Sequence, residues 1–545
     1  MAGTLGAPPW IAAWPLLVQA ARWARSACVG LSLAAQALLV LYSLHRLVLL
    51  WRAWRVRRQP RRSPAPLTDW PRVTVQLPVY NERRVIERLI DSVARLDYPA
   101  GRLEIQVLDD SSDETRAWAE RAAARHAARG VDIRVLHRAH RDGFKAGALA
   151  EGMRHARGEF LAVFDSDFVP QPDFLRRALP HFADLGVGMV QARWGHLNRA
   201  ASPLTAGQAV LLDSHFAIEH ETRMRCGLFF NFNGSAGVWR RACIESAGGW
   251  THDTLTEDLD LSYRAQLEGW RFVYDDTIEA PAELPGDLEA LKSQQRRWVK
   301  GSIQTARKIL PRLLAGPLPL SVKLEALVHL TNNMAYPLLL GQLVLPLLTV
   351  TGQFPLALAG WMQAGPIVLG AAFLAAGQLV RGPRRGLTRD VTAAVVLGTG
   401  LAVNNARAAL AGLGGPAGEW ERTPKAGSGA SRGRPYATAR RLAGRAELLL
   451  ALYYAGVAAL AARGGRWGAV PMFLMFAAAF GVVGLGSLRA SRDAIRAGRS
   501  SPTGAHAARS ACPRSRARAP GSPPTETPCA PWRSPRSRSA EAAPA

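Results

Sequence analysis

Five stretches of this chain, 28–50, 327–351, 357–380, 446–463 and 468–488, are nearly free of charge, and most approach the ~20 residues a membrane-spanning helix needs. No other feature constrains the fold as much. In lipid a backbone satisfies its own hydrogen bonds only as a helix or a closed barrel. Between the first and second stretches lies a block of different character. Residues 70–300 alternate short apolar runs with charged segments, the pattern of a water-soluble domain. A chain of 545 residues has room for both parts, and its 48% hydrophobic content is their average.

The net charge of +26 invites a nucleic-acid reading, but the charge sits in the wrong places for one. Arg46, Arg52, Arg55, Arg57, Arg58, Arg61 and Arg62 cluster at and after the first apolar stretch, and much of the rest lies in the C-terminal tail. Membrane proteins keep Arg and Lys on the cytoplasmic side. The expectation is therefore a multi-pass protein of the inner (plasma) membrane with its soluble block in the cytoplasm, membrane lipids as neighbours and no nucleic acid.

Residues 1–69 hold a Trp-rich surface segment, a retained anchor at 28–50 and a basic linker. Residues 301–326 read as an interfacial helix with Lys and Arg on one face, and 327–380 as two spans. Residues 381–445 read as a second interfacial helix at 391–413 and a basic loop. Counting 391–413 as a span would put that loop outside, against the charge rule. Residues 446–488 supply two more spans, although Arg463 and Arg466 in the turn between them run against this topology. The Arg/Ser/Pro/Ala-rich segment 489–545 has too few bulky apolar residues to bury a core. The five cysteines (Cys28, Cys226, Cys243, Cys512, Cys529) form no C-x-x-C pair, so neither a zinc site nor a disulfide framework is expected.

Within the block, strands read at Val73–Leu77, Glu104–Leu108, 133–136 and Phe160–Phe164. Helices read at Glu82–Leu96, 113–129 and Lys145–His155. Alternation of this kind indicates a parallel α/β sheet covered on both faces, Rossmann-like, with ligands bound beyond the strand C-termini.

Polar residues gather at those ends. Asp165 and Asp167 in F-D-S-D-F could share a divalent cation, Mg²⁺ or Mn²⁺; a D-x-D is equally a strand-terminal turn. Asp109 and Asp110 could accept hydrogen bonds from a base or ribose, or cap the helix that follows. In T-E-D, Asp258 could take a proton from an attacking hydroxyl, or Glu257 and Asp258 could serve only the helix N-terminus. In Q-Q-R-R-W (294–298), Arg297 offers a cation for phosphate and Trp298 a flat face for a sugar ring. The same run suits a basic helix on a membrane surface. Thr423 and Lys425 in W-E-R-T-P-K would be useful to a diphosphate, yet the motif alone is also an ordinary loop.

The order P-V-Y-N-E, D-D-S, D-G-F-K-A-G-A-L, F-D-S-D-F, Q-A-R-W, F-N-F-N-G-S-A-G-V-W, T-E-D-L-D-L and Q-Q-R-R-W resembles the processive inverting family 2 glycosyltransferases. The likeness is greatest to cellulose synthase-like enzymes that make β-mannan or glucomannan, with bacterial cellulose synthase next. It implies a glycosyltransferase A-type domain embedded in an α-helical membrane protein. It also implies the roles. Glu82, Asp109, Asp110, Lys145, Asp165, Asp167, Arg297, Thr423 and Lys425 would bind the nucleotide sugar, with metal at Asp165 and Asp167. Asp258 would be the general base, and Glu257, Gln294 and Trp298 would face the acceptor. The W-E-R-T-P-K loop would be the gating loop, which requires it to be cytoplasmic.

Ala148 and Leu149 follow the mannan-type pattern after K-A-G. No zinc-binding or cyclic-dinucleotide-binding domain is read in the chain, so second-messenger activation is not expected. The implied activity is hexose transfer from GDP-mannose or UDP-glucose to a β-1,4-linked polysaccharide, with export through the envelope and an export partner there. Single-sugar transfer to a lipid acceptor is the alternative. A non-enzymatic scaffold or transporter is the third reading, and it predicts no nucleotide affinity.

Overall fold

The computed structural model describes residues 9–61, 64–353, 356–382, 385–415, 418 and 444–499. Seven strands, β1 (Val73–Val79), β2 (Leu103–Asp109), β3 (Ile133–His137), β4 (Phe160–Val163), β5 (Val187–His196), β6 (Gly237–Arg240) and β7 (Arg271–Ala282), form one sheet in the order β3-β2-β1-β4-β6-β5-β7. β1 to β4 are parallel neighbours, joined by the helices Ile86–Val93, Thr115–Ala127 and Phe144–His155. These elements match the sequence expectation within a few residues at each end.

The sheet departs from the expected all-parallel form at β6, which pairs antiparallel with both β4 and β5. The reason lies in the chain before it. The small residues of F-N-G-S-A-G make a tight turn, and only the four residues Gly237–Arg240 remain to extend back along β4. β5 and β7 then restore parallel pairing on the far side.

Helices cover both faces. On one, Val73, Val75 and Leu77 of β1 meet Ile86, Leu89, Ile90 and Val93. Those four recur at i, i+3, i+4 and i+7, the stripe of a helix with one buried face. Each such fully buried aliphatic side chain contributes about 1.5–3 kcal/mol relative to exposure. On the other face Leu149, Leu161, Met189, Phe232 and Trp239 pack together. The polar Thr74 on this side of β1 is satisfied, donating to Glu104 Oε2 at 2.7 Å across the β1–β2 pair.

Among the described residues, three helical segments are long and apolar enough to cross a membrane: Val18–Arg57, Arg445–Arg463 and Trp467–Arg492. Two bent pairs raise the number to five. One is Leu320–Gly341 with Val344–Val350, bent by 44°, where a single span over 327–351 was expected. Pro346, just past the break at Gln342–Leu343, lacks the amide that would bond back across it to continue the helix. The other is Leu387–Gly400 with Ala402–Gly412, bent by 50°, where the interfacial helix was read. The helix expected to begin near 302 begins instead at Leu288, because Asp287 caps it by accepting the Ala290 amide at 2.8 Å. That helix, Leu288–Ala315, therefore carries Q-Q-R-R-W within it.

Candidate active site

β1, β2 and β4 run parallel, so their C-terminal ends share one edge of the sheet. A cleft opens there. Glu82 after β1, Asp110 after β2, and Asp165 and Asp167 after β4 all line it. Asp110 holds Arg138 by both carboxylate oxygens, at 2.8 and 2.6 Å. Asp109 does not line the cleft. It ends β2, and adjacent strand residues point to opposite faces. Its fully buried carboxylate accepts from His137 Nδ1 at 2.7 Å and from the Ser111 amide at 3.2 Å.

Lys145, near the start of the helix Phe144–His155, donates from Nζ to Asp165 Oδ1 at 2.5 Å and to the Gly234 carbonyl at 2.7 Å. Burial alone would lower its pKa. The carboxylates of Asp165, Glu257 and Asp258 outweigh that and hold the ammonium above its ordinary value.

The helix Glu257–Leu267 places Glu257 and Asp258 in its first turn, and both line the cleft. Burial raises the pKa of both. Asp258 is pushed up to about 7, with Glu257 adding to the effect of burial and Lys145 opposing it. A carboxylate poised near neutrality, as Asp258 is, can exchange a proton with a hydroxyl under ordinary conditions.

Gln294, Arg297 and Trp298 line the cleft from the helix Leu288–Ala315. Their spacing of three and four residues puts them on one face. That helix lies directly against T-E-D. A Cβ on Gly301 would stand 2.6 Å from Thr256 Cγ2 and 2.9 Å from its amide nitrogen, so only glycine allows the approach. Gln304 accepts the Leu255 amide at 3.1 Å, and the Thr305 and Thr256 hydroxyls meet at 3.2 Å.

The cleft thus brings together every described residue singled out from the sequence except Asp109. Thr423 and Lys425 lie outside the described residues. The sequence reading did not single out Tyr80, Arg141, Trp194 or Asn233, which also line the cleft. The Arg141 guanidinium lies 3.5 Å from the centroid of the Tyr80 ring. Both residues sit inside or beside motifs quoted above, P-V-Y-N-E and D-G-F-K, where an aromatic and a cation flanking a strand end were the available signal.

No group of three or more His, Cys, Asp or Glu side chains among the described residues is arranged to enclose a metal ion. Asp165 and Asp167 offer hard oxygens as a pair. Such a pair suits a small divalent cation whose shell is completed by water and by phosphate oxygens of a ligand. The ammonium of Lys145 already lies on Asp165, so this corner of the cleft accommodates positive charge.

The mixed sheet, with carboxylates at its parallel strand ends and helices on both faces, has the architecture of a glycosyltransferase A-type domain. Residues 71–301 match the model described as "Glycosyltransferase like family 2", and this block is a domain of that family. Glucomannan 4-beta-mannosyltransferase 1 of Oryza sativa subsp. japonica is 39% identical over 318 residues, covering 55% of this chain and 60% of that protein. Glucomannan 4-beta-mannosyltransferase 2 of Arabidopsis thaliana is 42% identical over 252 residues, covering 45% and 47% respectively. The chain spans about half the length of the curated relatives it matches. Among solved structures, the mannosyltransferase PcManGT from Pyrobaculum calidifontis, in complex with GDP-Man and Mn²⁺, shares the fold. Its TM-score is 0.50 at 24% identity, over 70% of this chain and 99% of that one.

Proposed function

We propose that the chain is a membrane-bound inverting hexosyltransferase that moves a hexose from a nucleotide sugar onto a growing β-1,4-linked polysaccharide. One observation carries this reading. Asp165 and Asp167, Lys145, the Glu257–Asp258 pair and the Gln294–Arg297–Trp298 face line a single cleft, in a chain that also has membrane-length helices. Mannose from GDP-mannose is the preferred donor, in keeping with the glucomannan mannosyltransferase relatives.

Transfer is a single displacement. Asp258 takes the proton of the acceptor hydroxyl, whose oxygen forms a bond to the anomeric carbon. The bond from that carbon to the diphosphate breaks, and its electron pair leaves with the nucleoside diphosphate. Inversion of an α-linked donor gives a β-linked product. Arg297 and Lys145 stabilise the departing charge, with Lys425 and Thr423 closing over it. Glu82 and Asp110 hold the nucleotide end, with Asp109 behind Asp110. Trp298 supports the terminal sugar of the acceptor beside Gln294 and Glu257. Mg²⁺ or Mn²⁺ held by Asp165 and Asp167 supplies charge neutralisation for the diphosphate when bound.

The Arg cluster at the end of the first long helix supports a cytoplasmic cleft at the inner membrane. Export of the polysaccharide between the spans, with an envelope partner, belongs to the same proposal.

Membranes carrying the full chain, incubated with labelled GDP-mannose or UDP-glucose, test the reading. Mannose entering a mannanase-sensitive polymer is the expected result. A cellulase-sensitive glucan would change the donor, and a single sugar on a lipid would replace the polymer with a lipid acceptor. Incorporation from neither donor, with no binding of GDP or UDP, would overturn the reading.

A further inference from the structure

Asn233 and Gly234 line the cleft, and the segment 231–236 that carries them touches three of its charged residues. The Gly234 carbonyl accepts from Lys145, and the Ser235 hydroxyl accepts the Asp165 amide at 2.9 Å. Gly234 also lies so near Asp258 that a Cβ there would stand 2.9 Å from Oδ2. The turn is strained. Ala236 has φ +55°, a region that costs an L-residue about 1 kcal/mol or more, and Gly234 has φ +81°, which glycine adopts freely. Something must hold it.

What holds it is a π-helical turn, His215–His220. In an α-helix, residues five apart would lie about 140° apart around the axis. The π-turn, with its i to i+5 bonding, brings them onto one side. The two imidazole centroids are 4.3 Å apart, and both rings grip the Asn233 amide. His220 Nε2 lies 2.6 Å from Asn233 Oδ1 and 3.0 Å from the Asn231 carbonyl, both acceptors, so Nε2 carries the proton. His215 Nε2 lies 3.1 Å from Asn233 Nδ2, so it accepts, and its Nδ1 donates to Glu219 at 3.0 Å. Burial keeps His220 neutral, and its Nδ1 has no partner, which suits a ring used as a single fixed donor. Beyond Glu219 the chain of charges continues to Arg223 at 3.1 Å and on to Glu325 at 3.1 Å, which also meets His45 and Arg52 of the first long helix.

We infer that His220 and His215 are positioning residues. By clamping Asn233 they fix the strained turn that sets Lys145, Asp165 and Asp258 relative to one another. The inference rests on the donor-site reading above, and it commits to a mechanical role: neither histidine touches substrate.

The test uses the full chain in membranes and pairs His220→Leu with His220→Gln, whose side-chain amide can replace the Nε2 donor. Misplacement of reacting groups by about 1 Å costs up to about a hundredfold, so His220→Leu is expected to lower turnover at least about tenfold. His220→Gln is expected to restore most of it. Asn233→Ala should match His220→Leu, and the double variant should be no slower than either single one, since both cut the same link. Amide exchange should rise at 231–236 in His220→Leu and Asn233→Ala but not in His220→Gln. That readout needs no turnover, so it stands even if the unaltered chain transfers no sugar and the donor reading fails. Unaltered turnover in His220→Leu, additive losses in the double variant, or unchanged exchange at 231–236 would overturn the clamp.

Discussion

Asp110, Asp165 and Asp167 leave the ends of parallel strands, and the register of β1, β2 and β4 alone aligns them. Gln294, Arg297 and Trp298 reach the same cleft from a helix whose place is set by distant packing. That helix is fastened at one end by Lys292, fully buried, whose Nζ meets Glu447 at 2.8 Å and Ser487 at 2.8 Å on two of the long apolar helices. Further along, Gly301 lies against Thr256. The first wall is thus a local consequence of strand geometry, whereas the second is a tertiary construction that ties the long apolar helices to T-E-D. Mutations should separate the two: those at the strand ends should change chemistry with the fold intact, and those along the helix should change stability and chemistry together.

The largest effect is expected at Asp258, where both walls meet. Asp258→Asn removes the proposed base, and general-base removal costs about 10²–10⁴ in rate. Thermal unfolding should be unaltered, because the Asn oxygen can still accept the Leu259 amide, now 2.8 Å from Asp258 Oδ1. Substantial retained transfer would unseat Asp258 as the base.

The second wall is tested at Lys292. Losing one partner of a buried ion pair typically costs about 3–5 kcal/mol. Lys292→Met should therefore lower the unfolding temperature sharply, and Lys292→Met with Glu447→Met should recover much of the loss. A single variant as stable as the parent would mean the helix is held by apolar packing alone. Gly301→Ala is a smaller probe of the same wall. Overpacking of this kind costs about 1–3 kcal/mol, and here it pushes on Thr256, so turnover should fall with stability.

The two walls also differed in how far the sequence revealed them. The D-x-D could be read because an apolar strand ends just before it and residues two apart share a side. The adjacent Asp109 and Asp110 were read as one unit, but the same alternation sends Asp109 inward to His137 and Asp110 to the cleft. On the helical wall the residues were legible and their setting was not. The helix was expected to start after Trp298, although Asp287 and Glu289 already carried an N-terminal signature. The π-turn at 215–220 and the antiparallel β6 left no periodic trace in the sequence.

The smallest expected effect is a shift in pH dependence. Burial, with the neighbouring Glu257 carboxylate, pushes Asp258 up to about 7. A base works deprotonated, so kcat/KM should climb as pH rises through about 7 and level off above it. The causes of the shift give the sign for each neighbour. Glu257 raises the Asp258 pKa, so Glu257→Gln should move the acid limb to lower pH, by up to about one unit. Lys145 lowers it, so Lys145→Met should move the limb the other way, whatever it does to the maximal rate. Opposite movements would place the proton acceptor where T-E-D meets the strand-end cation. A limb that moves with neither variant would assign the titration to another group.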